Sequence, residues 1–314
     1  MPTGSSQGSR AHRRVGAPPD ELPSVFEPFH RLVEIEARST EVSGTRLGDK
    51  DGVMTDLRSE TLAAISLVRD ALELAARGTG GVHAKLGRDV VTDTDVAVED
   101  QLRRAIARDI AMPVVGEERG GEVPVDASYW LVDPICGTRN FASGIPLYAV
   151  NTAMVEAGRV AVSVVGDGSN GDVLVAELGK GAWRVRGGDA EPLSTSRSSM
   201  VVDFGAWPAA GPARDAAAHT VAAAIRADRW DIRSFATTLG LAYVAAGRLA
   251  GYVSFKSPGA VHSAAGLLLV TEAGGHVTDA AGMPWTLDTR TLVCGADPAV
   301  HRELLALVAG GVER

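Results

Sequence analysis

The chain has 314 residues, 45% of them hydrophobic, and a formal net charge of −8, a balance typical of a globular protein with a sizeable core. The negative charge argues against nucleic acid as a partner. The sequence contains neither an apolar run of about 18 residues, the length of a membrane span, nor the apolar region of a secretory signal near its N-terminus. Two cysteines cannot form a disulfide framework. We therefore expect a cytoplasmic enzyme with no membrane partner.

The first 54 residues are predicted to be a disordered or loosely ordered extension, because their start is rich in Gly, Ser, Pro and Arg. One short amphipathic helix is predicted within it, over 24–38. The compact part is predicted to span 55–314. Its first helix is indicated by apolar residues at helical spacing and ends at a Gly pair: Leu62, Ile65, Val68, Leu72, then Gly78 and Gly80.

A second helix carries Val98, Leu102, Ile106 and Ile110 on one face. Short β-rich runs separated by turns then predict a mostly antiparallel sheet: Tyr129–Asp133, Leu147–Val155, Val160–Val165, Val173–Glu177 and Ala182–Val185. Helices and strands alternate after that. The predicted helices are 212–227, 236–247, 261–273 and 297–309, and the predicted strands are 230–233, 250–254, near 276 and 291–294. This order predicts a layered α/β sandwich with subdomains of about 55–195 and 196–314.

Three segments carry carboxylates that could do chemistry. The first segment is Asp89–Asp95, in which Thr94 or Asp95 could cap the second helix. In the second, Glu117 and Glu118 follow a short apolar strand, and taken alone they are typical of a solvated loop. The third is Trp130-Leu-Val-Asp-Pro-Ile-Cys-Gly-Thr-Arg-Asn-Phe141, in which a buried strand ends on an Asp and a Gly-Thr pair follows. Backbone amides at such a turn bind anions, which indicates a phosphate or oxyanion site.

In their order along the chain these segments resemble the inositol monophosphatase superfamily, over roughly residues 57–310. The family features VT.TD, GEE, DPIDGT.NF, LAYVAAGR.DGY and WD.AAG correspond to Val91–Asp95, Gly116–Glu118, Asp133–Phe141, Leu241–Tyr252 and Val261–Gly266. The resemblance implies a layered αβαβα sandwich, a homodimer, and a Mg²⁺-dependent, Li⁺-sensitive phosphatase acting on inositol, sugar or nucleotide phosphates.

The resemblance also implies roles for individual residues. Glu117, Asp133 and the carbonyl of Ile135 would hold a first cation, and Asp95 with Glu117 would support a weaker one, since Mg²⁺ prefers oxygen ligands. The amides of Gly137 and Thr138 would bind phosphate, and the Thr138 hydroxyl would orient the attacking water.

Two positions depart from the family pattern. Cys136 stands where DPIDGT has its second Asp, and His262 stands where WD.AAG has its Asp. In the family both Asp residues bind one cation together with the first Asp, here Asp133. Thiol and imidazole are poor Mg²⁺ ligands, so we expect ordinary inositol-phosphate hydrolysis to be impaired.

Three functions are compatible with this exchange. The preferred one is nucleophilic catalysis, with Cys136 as nucleophile and His262 as base on a small-molecule or carrier-bound acyl or thioester substrate. The amides of Gly137 and Thr138 would form an oxyanion hole, Asp133 or Glu117 would orient His262, and no cofactor would be required. Specialised metabolism would be one setting for such a rebuilt site.

The first alternative is a phosphomonoesterase that uses Mg²⁺ or, through Asp133, Cys136 and His262, Zn²⁺. The second is an inactive pseudo-phosphatase. The other cysteine, Cys294, lies in an apolar strand and is predicted to be a core residue.

Overall fold

The computed structural model describes residues 56–85, 89–186, 189–205, 211–255 and 259–312. The extension predicted for 1–54 and its helix over 24–38 lie outside these residues. Within the described ranges, no helix combines the length and the apolar character that crossing a membrane requires.

Two helices, α1 (Ser59–Ala75) and α2 (Asp93–Asp109), form the first layer. The apolar face predicted for α1 is buried apart from Leu62, which is 37% exposed. The cap of α2 differs from the prediction, because Thr92 is the N-cap residue and Asp95 completes a reciprocal capping box with it. A short antiparallel pair, β1 (Val82–Ala84) and β2 (Val90–Thr92), precedes α2.

A seven-stranded sheet forms the second layer, with the strands in the order β3 to β9. The strands are β3 Val114–Gly116, β4 Tyr129–Cys136, β5 Ala149–Glu156, β6 Arg159–Asp167, β7 Val173–Glu177, β8 Gly181–Arg186 and β9 Asp189–Pro192, and the short helix α3 is Thr138–Ala142. All neighbours are antiparallel except β3 and β4. The predicted meander is therefore confirmed, with β9 as an additional strand.

The seven-stranded sheet is covered on both faces, which explains its nearly continuous apolar sequence. In β4, Trp130 and Val132 pack with α1 and α2, whereas Tyr129 and Leu131 pack with two later helices. These helices are α5 (Leu239–Ala245) and α6 (Ala260–Glu272).

A five-stranded sheet and two outer helices complete the fold. The strands are β10 Val201–Phe204, β11 Asp231–Arg233, β12 Gly251–Ser254, β13 His276–Thr278 and β14 Leu292–Gly295, and the helices are α4 Pro212–Ala227 and α7 Pro298–Val312. The strand order is β11-β10-β12-β14-β13. One face of this sheet packs with α5 and α6 and the other with α4 and α7. The order of layers is αβαβα, as the resemblance implies.

One helix begins later than predicted for a local reason. Helix α5 begins at Leu239 rather than at 236, because Ala236 has φ +55°, a left-handed conformation that a helix cannot include. Strand β10 was not predicted. The division into subdomains near residue 195 stays a prediction.

Candidate metal and phosphate site

The site is built around the end of β4. The register of β4 with β5 is irregular between Asp133 and Cys136, so the last residues of the strand leave the regular ladder. Gly137 follows with φ +104°, and a Cβ there would lie 3.0 Å from both the carbonyl of Leu147 and the Cβ of Thr237. Glycine is therefore required at the turn that starts α3 at Thr138.

Asp95 reaches this turn from the first turn of α2. Its carboxylate is fully buried and accepts hydrogen bonds from the backbone and hydroxyl of Thr92. The Thr138 hydroxyl lies 3.0 Å from Asp95 Oδ1 and 3.1 Å from the carbonyl oxygen of Ile135. One hydroxyl thus connects two of the predicted ligands.

Glu117 approaches from the end of β3. Its Oε1 accepts from Lys85 Nζ at 3.1 Å, and its Oε2 lies 3.9 Å from His262 Nδ1. Burial, followed by the negative charge of Asp133, raises the pKa of Glu117 to about 8. Burial also raises the pKa of Asp95. Several carboxylates therefore share a small volume with few compensating cations.

Asp133 and His262 form the centre of the site. His262, in the first turn of α6, places Nδ1 2.8 Å from Asp133 Oδ2. Burial by itself would lower the pKa of His262, but the charge of Asp133 and this hydrogen bond raise it well above its ordinary value. Asp133 is fully buried, and its Oδ1 has no hydrogen-bond partner among the residues that the structure describes.

Cys136 completes the cluster. Its Sγ lies 3.3 Å from the backbone nitrogen and 2.9 Å from the hydroxyl of Thr238, both of which donate to it. One potential ligand atom each from Asp133, Cys136 and His262 lies within 4.8 Å of the others. The expected juxtaposition of thiol and imidazole is therefore present.

The electrostatics at Cys136 differ from what a nucleophile requires. Burial and the charge of Asp133 raise the pKa of its thiol, whereas an activated thiol needs a lowered pKa. Cys136 ends β4, and α3 begins only at Thr138, so the thiol does not belong to the first turn of that helix. The side chain is also buried.

The structure brings all the predicted site residues together, and it adds three that were not predicted. Lys85 binds Glu117 and Glu118, Asn151 donates to Asp133 Oδ2 at 3.3 Å, and Thr238 donates to Cys136. Each comes from an element distant in sequence. Thr238 lies three residues before the Leu241–Tyr252 segment, which is the one signal that could have drawn attention to it.

The donor chemistry separates the site into two parts. Glu117, Asp133, Asp95 and the Ile135 carbonyl offer only oxygen, and the unpartnered Asp133 Oδ1 is a buried acceptor that a cation would satisfy. This part fits Mg²⁺. The Cys136 and His262 corner offers sulfur and nitrogen, which do not suit Mg²⁺.

Comparison with known proteins also identifies the resemblance to inositol monophosphatases. A sequence profile of the inositol monophosphatase family matches residues 53–313. The inositol-1-monophosphatase ImpA of Mycolicibacterium smegmatis is 34% identical over 229 residues, covering 71% of this chain and 82% of that protein.

Solved structures agree. An IMPase of Thermotoga maritima superposes with a TM-score of 0.70 at 28% identity, over 80% of this chain and 96% of its own. The extragenic suppressor protein suhB of Bartonella henselae gives a TM-score of 0.72 at 26% identity, over 80% and 98%.

These matches overturn three expectations. The prediction of acyl transfer or thioester chemistry is wrong, because the chain matches a family of phosphatases. The enzyme class of Cys/His-dependent acyltransferase or hydrolase is wrong for the same reason, and the raised pKa of the buried Cys136 thiol gives the physical cause. The prediction that no cofactor is required is also wrong, because the family depends on Mg²⁺.

The profile match, the identity with ImpA and the shared layer order all concern the same compact region of the chain. The chain therefore belongs to the inositol monophosphatase family.

Proposed function

We propose that the protein is a metal-dependent phosphomonoesterase that acts on an inositol-, sugar- or nucleotide-type phosphate. The observation that carries the proposal is the group of oxygen ligands beside the turn at Gly137. Buried carboxylates with raised pKa values, as at Glu117 and Asp95, are unfavourable unless a cation neutralises them.

We assign the first cation to Glu117, Asp133 and the carbonyl of Ile135, and a weaker one to Asp95 with Glu117. When bound, a divalent cation supplies charge neutralisation for the phosphate and lowers the pKa of a water molecule. Lys85 binds Glu117 through an ion pair and so limits where that carboxylate can point.

The chain's own groups would position the phosphate. The first N–H groups of a helix have no intrahelical acceptor, and α3 begins directly after Gly137. The amides of Gly137 and Thr138 would donate to phosphate oxygens. The Thr138 hydroxyl, which lies between Asp95 and the Ile135 carbonyl, would orient the water.

The relatives favour one substrate to test first. Several are named inositol-1-monophosphatase, so inositol 1-phosphate leads a panel that also contains a sugar phosphate and a nucleoside monophosphate. We also propose a homodimer, as the resemblance implies, which light scattering of the purified protein would test.

The experiment measures phosphate release from this panel with Mg²⁺, Mn²⁺ or Zn²⁺ added. We expect release from at least one substrate, and a loss of at least about 100-fold in Glu117→Gln, since a cation ligand is removed. The matched control is Glu122→Gln, which removes an exposed carboxylate and should leave the rate unchanged. No release with any cation would refute the proposal and favour a pseudo-phosphatase.

A further inference from the structure

Three donors of different chemistry meet at one point of the site. Asp133 and Cys136 come from the end of β4, and His262 comes from the start of α6. One potential ligand atom from each lies within 4.8 Å of the others. Asp133 and Cys136 are buried, and the His262 side chain is 16% exposed.

The spacing of these atoms suits a small divalent cation. Zinc bonds of about 2.0 to 2.3 Å in a tetrahedral site place ligand atoms roughly 3.3 to 3.8 Å apart. His262 Nδ1 and Asp133 Oδ2 are now 2.8 Å apart, in a direct hydrogen bond. A modest opening of this pair would admit an ion between His262 Nδ1 and Asp133 Oδ2.

Neighbouring residues already orient two of the three donors. The backbone N–H and the hydroxyl of Thr238 donate to Cys136 Sγ, and the Asn151 amide donates to Asp133 Oδ2. Hydrogen bonds of this kind surround metal ligands in proteins and hold them in position.

We propose that Asp133, Cys136 and His262 form a zinc-type site with one open coordination position, next to the oxygen ligands of Glu117. Three protein ligands and one open position are the pattern of catalytic zinc, and a thiolate with an imidazole selects zinc over Mg²⁺. The catalytic use of this ion rests on the proposed function, whereas its binding does not.

Cobalt binding to the full-length chain, stripped of metal by a chelator, tests the site directly. We expect one of the bound Co²⁺ ions to give a thiolate-to-cobalt absorption band in the near ultraviolet, and Zn²⁺ to displace that ion. The band should vanish in Cys136→Ser and persist in Cys294→Ala. The chain has two cysteines, so Cys294 is the matched control.

Calorimetric titration supplies the second measurement. In Cys136→Asp we expect zinc affinity to fall by more than the roughly 10- to 100-fold typical of losing an outer hydrogen bond, and Mg²⁺ affinity to rise. If the Cys136 variants do not fold, the band in wild type and in Cys294→Ala decides alone. Absence of a thiolate band in wild type, or its survival in Cys136→Ser, would overturn the inference and leave a metal-free hydrogen-bonded triad.

The two proposals fail in different ways. Phosphate release with Mg²⁺ but no cobalt–thiolate band would overturn the zinc-type site and keep the phosphatase. A thiolate band that depends on Cys136, without phosphate release from any substrate, would support the zinc-type site and refute the phosphatase.

Discussion

Replacing Asp203 by Asn should stabilise the protein at alkaline pH. Asp203 lies in the central part of β10, is fully buried, and accepts a hydrogen bond from the Phe235 backbone at 3.0 Å through Oδ1. Within the described part of the chain, its Oδ2 has no hydrogen-bond partner. Burial raises the pKa of Asp203 from 3.8 to about 7, so ionisation is unfavourable in the folded state.

The sign and size of this pH effect on stability follow from the linkage between proton binding and folding. Because the folded-state pKa is raised, the associated stability is fully present below about pH 4 and is lost as pH rises through 7. Each pKa unit corresponds to about 1.4 kcal/mol, so wild type should lose about 3 kcal/mol from this group between pH 5 and pH 8. An Asn side chain keeps the acceptor for Phe235 and has no charge, so Asp203→Asn should escape this loss.

Urea unfolding at pH 5 and pH 8 measures the effect as the difference between Asp203→Asn and wild type. The free energy of unfolding of Asp203→Asn relative to that of wild type should increase by about 3 kcal/mol between pH 5 and pH 8. Asp203→Leu is the comparison, since it removes both the charge and the acceptor for Phe235. A difference between Asp203→Asn and wild type that is the same at both pH values would refute the reasoning.

Three further outcomes follow from single contacts. Thr138→Ala should lower kcat by roughly 100-fold, the size expected when a reacting group is misplaced. Thr138→Ser keeps the hydroxyl and should keep most of the rate. Equal rates in the two variants would contradict the water-orienting role of this hydroxyl. Thr238→Val removes the hydroxyl that donates to Cys136. This variant should bind zinc about 10- to 100-fold more weakly in a calorimetric titration. An unchanged zinc affinity would contradict the prediction. Glu99→Gln should lower the free energy of unfolding in urea by about 2 to 4 kcal/mol. The fully buried Glu99 carboxylate accepts hydrogen bonds from Arg103 and from the backbone N–H groups of Glu118 and Arg119. An unchanged urea midpoint would count against this prediction.

The elements that the sequence predicts well are those whose pattern is local. Helix α1 and strand β7 follow directly from apolar spacing and turns. Strand β10 does not, because an Asp interrupts its apolar run and disfavours the strand in a local reading, while its partners β11 and β12 are distant in sequence. Ala236 similarly moves the start of α5 through a backbone angle that no pattern predicts.

The candidate site divides in the same way. Asp133, Ile135, Cys136, Gly137 and Thr138 lie in one contiguous segment and are readable from it. Asn151 and Thr238 are not, since tertiary contacts bring them to the site.

The error about chemistry has a physical origin as well. Pairing a thiol with an imidazole indicates a nucleophile only if the thiol ionises readily. Here burial raises the pKa of the Cys136 thiol, and burial is decided by the packing of the whole fold. The two positions at which Cys136 and His262 replace Asp indicate less about the activity than the matches along the rest of the chain.

The most direct test of the central claim is phosphate release by the chelator-stripped protein as a divalent cation is added back. We predict no release from inositol 1-phosphate or the other panel substrates without cation, and recovery that saturates with added cation and is absent in Glu117→Gln. Cation-independent hydrolysis of a thioester that is lost in Cys136→Ser, with no phosphate release at any cation concentration, would contradict the account.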